Sequence, residues 1–157
     1  MNRRTESCQR MLRYRPPRIA MFLLMTASLL QLATASTLPA TPGSAFGGAV
    51  VGLLGLAIML RAWWLFRTHE TAICPTSQTT TLITNDVYRL TRNPMYLGIV
   101  LMLLGIALGI GGLPYYVAAL AFFVVINHVF CPYEEDKLRR DFGTCFEDYE
   151  KRVRRWL

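Results

Sequence analysis

The residues with the clearest chemical potential lie at positions 92–98, which read R-N-P-M-Y-L-G at the start of a long apolar run. Asparagine is favoured as a helix N-cap and proline at the first helical position, so Asn93 and Pro94 predict a helix start. The free backbone N–H groups of that start, together with the Arg92 guanidinium, suit an anionic group. The same pattern also fits an ordinary capped helix with one arginine at a membrane interface.

A second polar group follows the last apolar run, where Glu134 and Glu135 come shortly after Pro132. In a helix, Asn127, Cys131 and one of the two glutamates share a face. The proline predicts a bend at this point. The two carboxylates are candidate ligands for a cationic group, although acidic residues at a membrane boundary are often simply solvated.

Both polar groups belong to a chain with the composition of a membrane protein. Of its 157 residues, 53% are hydrophobic and 17% are charged, compared with roughly 25% charged residues in soluble domains. The formal charge of +7 does not indicate nucleic-acid binding, because the basic residues lie between apolar runs rather than along one polar face. The sequence therefore predicts an all-α integral membrane helical bundle.

Four apolar stretches are predicted to cross the membrane, since each is close to the ~20 residues that span a ~30 Å hydrocarbon core. They cover residues 19–35, 46–66, 95–112 and 113–130. Only two glycines and a proline separate the last two, which predicts a tight helical hairpin. We expect residues 19–157 to form a single membrane domain behind a basic segment, residues 1–18.

The placement of charge predicts the orientation of these helices. Basic residues cluster in residues 1–18, in the 67–94 loop and in the 131–157 tail. The intervening turns, 36–45 and 109–116, carry no charge. By the positive-inside rule, both ends and the 67–94 loop are cytoplasmic, and we expect the membrane to be a bacterial inner membrane.

The first apolar stretch has a second interpretation. Arginines, an apolar run and then Ala33-Thr34-Ala35 also resemble a secretory signal with its cleavage site. Whether this stretch is cleaved or retained changes the number of helices. It leaves the predicted cytoplasmic site unchanged, because the second stretch still runs from outside to inside.

Glycines recur on one face of two predicted helices. They are Gly48, Gly52 and Gly55 in the second stretch, and Gly98, Gly105, Gly109 and Gly112 in the third. This pattern favours close helix packing, because small residues let membrane helices approach each other. Gly98 lies one turn inside the polar helix start, where the missing side chain could admit a ligand.

No metal site is predicted. The four cysteines show no C-x-x-C spacing, and all fall on the predicted cytoplasmic side, where thiols stay reduced. His69 and His128 are far apart in sequence and lack a ligand pattern. The tail instead keeps an apolar stripe through Tyr149 to Trp156, which predicts an amphipathic cytoplasmic helix that packs back on the polar mouth.

Several motifs occur together in an order that resembles a known superfamily. They are Leu82-Ile83-Thr84, Tyr88-Arg89, the 92–98 segment, Glu134-Glu135, Leu138, Phe142-Gly143, Tyr149 and the V-R-R-W-L ending. In order and membrane placement they resemble the isoprenylcysteine carboxyl methyltransferase and phospholipid methyltransferase superfamily, over roughly residues 50–157. Three positions depart from that pattern: Asn93 stands where the isoprenylcysteine enzymes have histidine, Asp86 replaces a usual glycine, and Phe146 replaces a tyrosine.

The resemblance implies a membrane enzyme that binds S-adenosylmethionine from the cytosol and methylates a lipophilic acceptor. The residues it assigns to the cofactor are Arg92, Asn93, Pro94, Tyr96, Gly98, Glu134 and Glu135. Arg92 and Glu135 are also expected to act in catalysis. His128 is the candidate base for an ammonium acceptor, which must lose a proton before methylation, and a buried histidine paired within the bundle is the alternative.

The acceptor stays open among an isoprenylcysteine-type carboxylate, a phospholipid amine and a small thiol. Two other functions compete with methyl transfer. A sterol-reductase-like membrane enzyme would carry a similar Arg-His-Pro-x-Tyr segment and use NADPH. A non-enzymatic membrane adaptor would use its glycine faces to bind partner helices. Membrane lipids are expected partners in each case, nucleic acid is not, and the sequence predicts no oligomeric state.

Overall fold

The computed structural model describes residues 16–34, 44–68 and 82–157. The elements in these ranges are α1 (Pro16–Thr34), α2 (Ser44–Thr68), a 3-10 helix (Asp86–Arg89), α3 (Pro94–Ile110), α4 (Leu113–Val125), a π-helical segment (Ile126–Phe130), α5 (Cys131–Phe142) and α6 (Thr144–Arg152). The predicted all-α membrane bundle is confirmed. The basic segment before residue 16, Ala35 of the cleavage motif, Cys8, Cys74 and His69 lie outside the described ranges.

Within those ranges, three helices are long and apolar enough to cross a membrane: α1, α2 and the continuous helix Leu113–Phe142. The helix α3 is also apolar but has 17 residues, or about 25 Å at 1.5 Å per residue. All four predicted stretches are therefore helical, and α3 is at the short end of what spans a bilayer.

The helix α3 lies at the centre of the bundle. It has nine buried residues, compared with three in α1 and four in α2. The surrounding helices expose large apolar side chains such as Phe22, Leu53 and Leu120. An outer surface of this kind matches the hydrocarbon of a lipid bilayer, where exposed leucine and phenylalanine carry no penalty.

A seam of glycines joins α2 to α3. A Cβ atom built on Gly55 would lie 2.6 Å from the Gly98 carbonyl oxygen, and one built on Gly105 would lie 2.6 Å from the Gly48 carbonyl oxygen. A side chain at these positions would therefore collide with the backbone of the facing helix. The predicted role of Gly48, Gly55 and Gly105 in close helix packing is confirmed. At Gly109, by contrast, a built Cβ atom meets nothing within 4 Å, so packing does not require a glycine there.

The helix α1 packs on the other side of the bundle, against α4 and α3. The hydroxyl oxygens of Ser28 on α1 and Tyr115 on α4 lie 3.2 Å apart, within hydrogen-bond distance. Ala27 is buried in a cluster with Tyr115 and Ala118. A polar contact and small residues thus hold α1 against the core of the bundle.

The last membrane helix continues beyond residue 130, where the sequence predicts its end, to Phe142. The Cys131 N–H donates to the Ile126 carbonyl oxygen five residues back, so one wide π turn directly precedes Pro132. Proline has no N–H to donate and its ring crowds the carbonyl four residues earlier. We attribute the wide turn to this misfit, and the helix carries Glu134 and Glu135 without interruption from the apolar bundle to its polar end.

The 3-10 helix and α6 cover the polar end of α2 and α3. Tyr88 of the 3-10 helix is buried with Ala62 and Leu65 of α2. The Tyr149 hydroxyl of α6 donates to the Tyr88 carbonyl oxygen at 2.6 Å. Phe146 and Tyr149 are the buried residues of α6, which confirms that this amphipathic helix packs back on the polar mouth.

Asp86 adopts the left-handed conformation with φ 55°. Glycine is the residue that enters this conformation without strain. Here the Asp86 carboxylate accepts hydrogen bonds from the Val87 N–H at 2.8 Å and from Arg61 Nη2 at 2.5 Å. These bonds lower the pKa of Asp86 and hold the 3-10 helix to α2.

Candidate functional site

The first wall of the candidate site is the start of α3. Asn93 occupies the N-cap position, but its side chain makes no capping hydrogen bond. Its backbone N–H donates to Thr91 Oγ1 at 3.2 Å. Asn93 Nδ2 is buried and has no hydrogen-bond partner among the described residues. The predicted capping role of this side chain is therefore wrong, and the amide is a buried donor without an acceptor.

Arg92 stands beside that amide with a side chain that is 11% exposed. Its Nη1 donates to Glu150 Oε1 on α6 at 2.5 Å and lies 3.4 Å from Glu135 Oε1 on α5. The hydrogen bond from Arg92 lowers the pKa of Glu150, which keeps this pair ionised at neutral pH. Arg92 Nε, in contrast, is buried without an acceptor among the described residues.

The second wall is α5, which presents the two glutamates. The Tyr96 hydroxyl on α3 donates to Glu134 Oε1 at 2.5 Å. Glu135 is 6% exposed and is held on both oxygens by Arg155, from Nε to Oε1 at 2.9 Å and from Nη2 to Oε2. The two adjacent carboxylates therefore differ: tyrosine engages one oxygen of Glu134, whereas arginines engage both oxygens of Glu135.

The structure brings most of the predicted site residues together. Those in the cluster are Arg92, Asn93, Pro94, Tyr96, Glu134 and Glu135. The α3 start contributes the first four, and α5 contributes the glutamates. Pro94 is fully buried at the first turn, which fixes the position of the helix start against the second wall.

Gly98 does not have the open space that a ligand would need. A Cβ atom built on Gly98 would lie 2.6 Å from the Gly55 carbonyl oxygen and 2.8 Å from Met59 Cβ. The volume beside Gly98 is therefore filled by α2. We correct the prediction that Gly98 admits a ligand: this glycine belongs to the packing seam.

His128 is the other predicted residue that makes no polar contact with Arg92 or the glutamates within the described residues. It lies in the π-helical segment with an exposed side chain, and its Nε2 is 3.5 Å from Asn127 Nδ2. Within the described residues, no hydrogen bond or ion pair connects His128 to Arg92 or to the glutamates. The alternative of a buried histidine is wrong, and we do not carry the base role forward.

Five residues that the sequence analysis did not assign contribute to the cluster. They are Thr91, Asn127, Glu150, Arg155 and Trp156. Asn127 Oδ1 accepts a hydrogen bond from Trp156 Nε1 at 2.9 Å and lies 3.5 Å from Nη1 of Arg155, the residue that also binds Glu135. The sequence could predict that a buried glutamate requires a cationic partner. It could not single out Arg155, because the tail contains seven lysines and arginines.

The arrangement suits a ligand that carries charges of both signs. Two buried donors, Arg92 Nε and Asn93 Nδ2, lie beside the positive end of the α3 dipole, where a carboxylate is stabilised. Glu134 lies on the facing helix, joined to the same wall through Tyr96. An amino-acid-like group bearing both a carboxylate and an ammonium has the functional groups that complement these two walls.

Comparison with known proteins identifies the family. Residues 44–145, from the start of α2 into α6, match the phospholipid methyltransferase family. An uncharacterized protein of Haemophilus influenzae is 36% identical over 63 residues, which are 40% of this chain and all of that protein. A search of the solved structures found no match. The chain belongs to the phospholipid methyltransferase family, within the isoprenylcysteine carboxyl methyltransferase and phospholipid methyltransferase superfamily, and is an integral membrane protein of methyltransferase type.

Proposed function

We propose that this protein transfers a methyl group from S-adenosylmethionine to a lipophilic acceptor at the cytoplasmic face of the membrane. The observation that carries the proposal is the pair of buried donors without acceptors, Arg92 Nε and Asn93 Nδ2, opposite Glu134. Family membership supplies the reaction class. The unused hydrogen-bonding groups supply the place where the methyl donor would bind.

The residues present fit the polar groups of S-adenosylmethionine. Arg92, Asn93 and the start of α3 would hold its carboxylate through charge-assisted hydrogen bonds. Glu134 would hold its ammonium or a ribose hydroxyl, with Tyr96 orienting the carboxylate. Glu135 would act indirectly, by holding Arg92 in place rather than by contacting the cofactor, because Arg92 and Arg155 already engage its carboxylate.

When bound, the cofactor supplies an electrophilic methyl group on its sulfonium. Methyl transfer is an in-line displacement, so the contribution of the protein is to hold donor and acceptor in line within a dry site. The buried side chains of Asn93 and Tyr96, and the cover that α6 forms over this end of the bundle, would exclude water.

The groups in the cluster affect which acceptors could be methylated without an added base. A carboxylate or thiolate acceptor needs no base, whereas an amine acceptor must first lose a proton. Within the described residues, His128 contacts Asn127 but makes no hydrogen bond or ion pair with Arg92, Glu134 or Glu135. An amine would therefore have to pass its proton to a carboxylate or to solvent. We propose that the acceptor, whichever of the three classes it belongs to, reaches the site sideways from the bilayer.

Two measurements on the purified protein in detergent test this function. The first is the shift of the thermal unfolding midpoint with S-adenosylmethionine and with NADPH, since a ligand that binds the folded state raises the midpoint. We expect a rise with S-adenosylmethionine and none with NADPH. A rise with NADPH alone would favour a reductase-like enzyme and overturn the proposal.

The second measurement identifies the acceptor. The protein is incubated with methyl-labelled S-adenosylmethionine and a total lipid extract, and the labelled fraction is separated by class. Label in an amine phospholipid, a prenylated carboxylate or a lipophilic thiol would each support methyl transfer and name the acceptor. Absence of label from every lipid fraction, despite cofactor binding, would contradict a lipid acceptor.

A further inference from the structure

Residues 153–157, which we call the strap, run across the candidate site. The Arg92 N–H donates to the Arg154 carbonyl oxygen at 3.0 Å, and Thr91 Oγ1 donates to the Arg155 carbonyl oxygen at 2.7 Å. Thr91 is 2% exposed and also accepts the Asn93 N–H. The strap is therefore fixed to the loop that carries both of the unused donors.

The strap also reaches the second wall. Trp156 Nε1 donates to Asn127 Oδ1 at 2.9 Å, and the Trp156 ring lies 5.0 Å from the ring of Phe123 on α4. Arg155 holds both oxygens of Glu135 in a bidentate pair. The strap thus bridges the start of α3 and the helix that carries the glutamates, which are the two walls of the site.

The bidentate pair decides what Glu135 can do. A planar guanidinium bound to both carboxylate oxygens fixes the position and orientation of the carboxylate. Arg92 lies 3.4 Å from the same carboxylate, so Glu135 receives two positive charges in a buried place. A carboxylate in this position is suited to holding Arg92 and α5 in place, which would leave the neighbouring Glu134 to bind the proposed cofactor.

We propose that Arg155 is a positioning residue of the cofactor site, which acts through Glu135 to set the geometry of Arg92 and Glu134. The match to the family model ends at residue 145, and the superfamily resemblance, although it includes the V-R-R-W-L ending, gives Arg155 no role. This inference rests on the proposed function, because the site that Arg155 completes is the proposed S-adenosylmethionine site.

The test compares variants of the full chain by equilibrium binding of radiolabelled S-adenosylmethionine. We expect Arg155→Ala to weaken the affinity about ten-fold or more, in the range of coupling between residues of one network. Arg155→Lys should give an intermediate loss, because a lysine keeps the charge without the bidentate geometry. Arg152→Ala is the matched control, since Arg152 is exposed and bonds within α6 to the Asp148 carbonyl oxygen.

A double variant separates positioning from direct contact. If Arg155 acts through Glu135, then Arg155→Ala combined with Glu135→Gln should bind about as weakly as the weaker single variant. Losses that add would show that Arg155 acts independently of Glu135, and would overturn the assignment.

Trp156 reports whether the strap stays docked. With Trp63 and Trp64 replaced by phenylalanine, Trp156 is the remaining one of three tryptophans. We expect Arg155→Ala to lose affinity while Trp156 stays protected from acrylamide, because Thr91 and Asn127 still hold the strap. Loss of affinity with full exposure of Trp156 would mean that Arg155 only anchors the strap, which would overturn the proposal.

Binding measurements on the wild-type chain and on Arg155→Ala distinguish failure of the Arg155 role from failure of the proposed function. Binding by the wild-type chain with equal binding by Arg155→Ala would overturn the role of Arg155 and leave the proposed function standing. No binding of S-adenosylmethionine by the wild-type chain would overturn the proposed function, and the inference with it.

Discussion

At the scale of single residues, Tyr96 is the link between the two walls of the site. Its hydroxyl donates to Glu134 and its ring is buried in the core cluster. We expect Tyr96→Phe to keep the fold and to weaken S-adenosylmethionine binding about ten-fold, as expected for one hydrogen bond to a charged group. Isothermal titration in detergent measures the change, with Tyr116→Phe as the control. An unchanged affinity in Tyr96→Phe would contradict the role given to this hydroxyl.

Asp86 combines a strained left-handed backbone, which lowers stability, with side-chain hydrogen bonds, which raise it. Asp86→Ala keeps the left-handed backbone and loses the bonds to Arg61 and Val87, whereas Asp86→Gly loses the bonds but relieves the strain. Asp86→Asn keeps an acceptor for the Val87 N–H and tolerates the conformation. We expect the unfolding midpoint to be highest for Asp86→Asn, lower for Asp86→Gly and lowest for Asp86→Ala. A higher midpoint for Ala than for Gly would contradict the account.

The identity of several site residues could be predicted from the sequence, whereas their pairing could not. Arg92, Asn93, Tyr96 and the glutamates were predicted as site residues from their types, the helix-start pattern and a family resemblance, and the structure clusters them. Their pairing could not be predicted, because the partner of Glu135 lies 20 residues away in a tail with several equivalent cations. Which residue pairs with a buried charge depends on tertiary packing, and local pattern does not carry that information.

At the scale of secondary-structure elements, the glycine seam sets the separation of α2 and α3. We expect Gly105→Ala to lower the free energy of unfolding by about 1–3 kcal/mol, as overpacking does in a tight core, because the new methyl would meet Gly48 and Gly52 backbone. Gly109→Ala on the same helix is the control, since a Cβ atom there meets nothing within 4 Å. Thermal unfolding in detergent measures both. Equal effects of the two substitutions would contradict the seam.

Helix ends were less predictable than helix faces. The apolar stretches follow from hydropathy, and the structure confirms them as helices. The glycine spacing correctly predicted packing at Gly48, Gly55 and Gly105 but not at Gly109. The end of the last helix could not be predicted from the sequence, because Pro132 and the charged residues after it are typical of a helix C-terminus. The π turn at Ile126–Phe130 allows the helix to continue through the proline, and nothing in the local sequence shows that such a turn will form.

At the scale of the whole molecule, the positive-inside rule predicts that α6 and the proposed site lie on the cytoplasmic side. We therefore expect an impermeant maleimide to label Cys145, which is exposed, in inside-out vesicles and not in right-side-out vesicles. The chain used for this measurement carries serine in place of Cys8 and Cys74. Cys131 is buried and serves as the internal negative control. The reverse labelling pattern would place the tail, and the site it covers, outside.

The central claim is that S-adenosylmethionine binds at the start of α3, and Asn93→Ala tests it most directly. The Asn93 amide is buried without a partner for Nδ2, so its removal should leave the unfolding midpoint unchanged or higher. The same substitution removes a donor from the proposed cofactor carboxylate. We expect the dissociation constant for S-adenosylmethionine to rise about ten-fold, with Asn85→Ala, an exposed asparagine, as the control. An unchanged dissociation constant in Asn93→Ala would contradict the account.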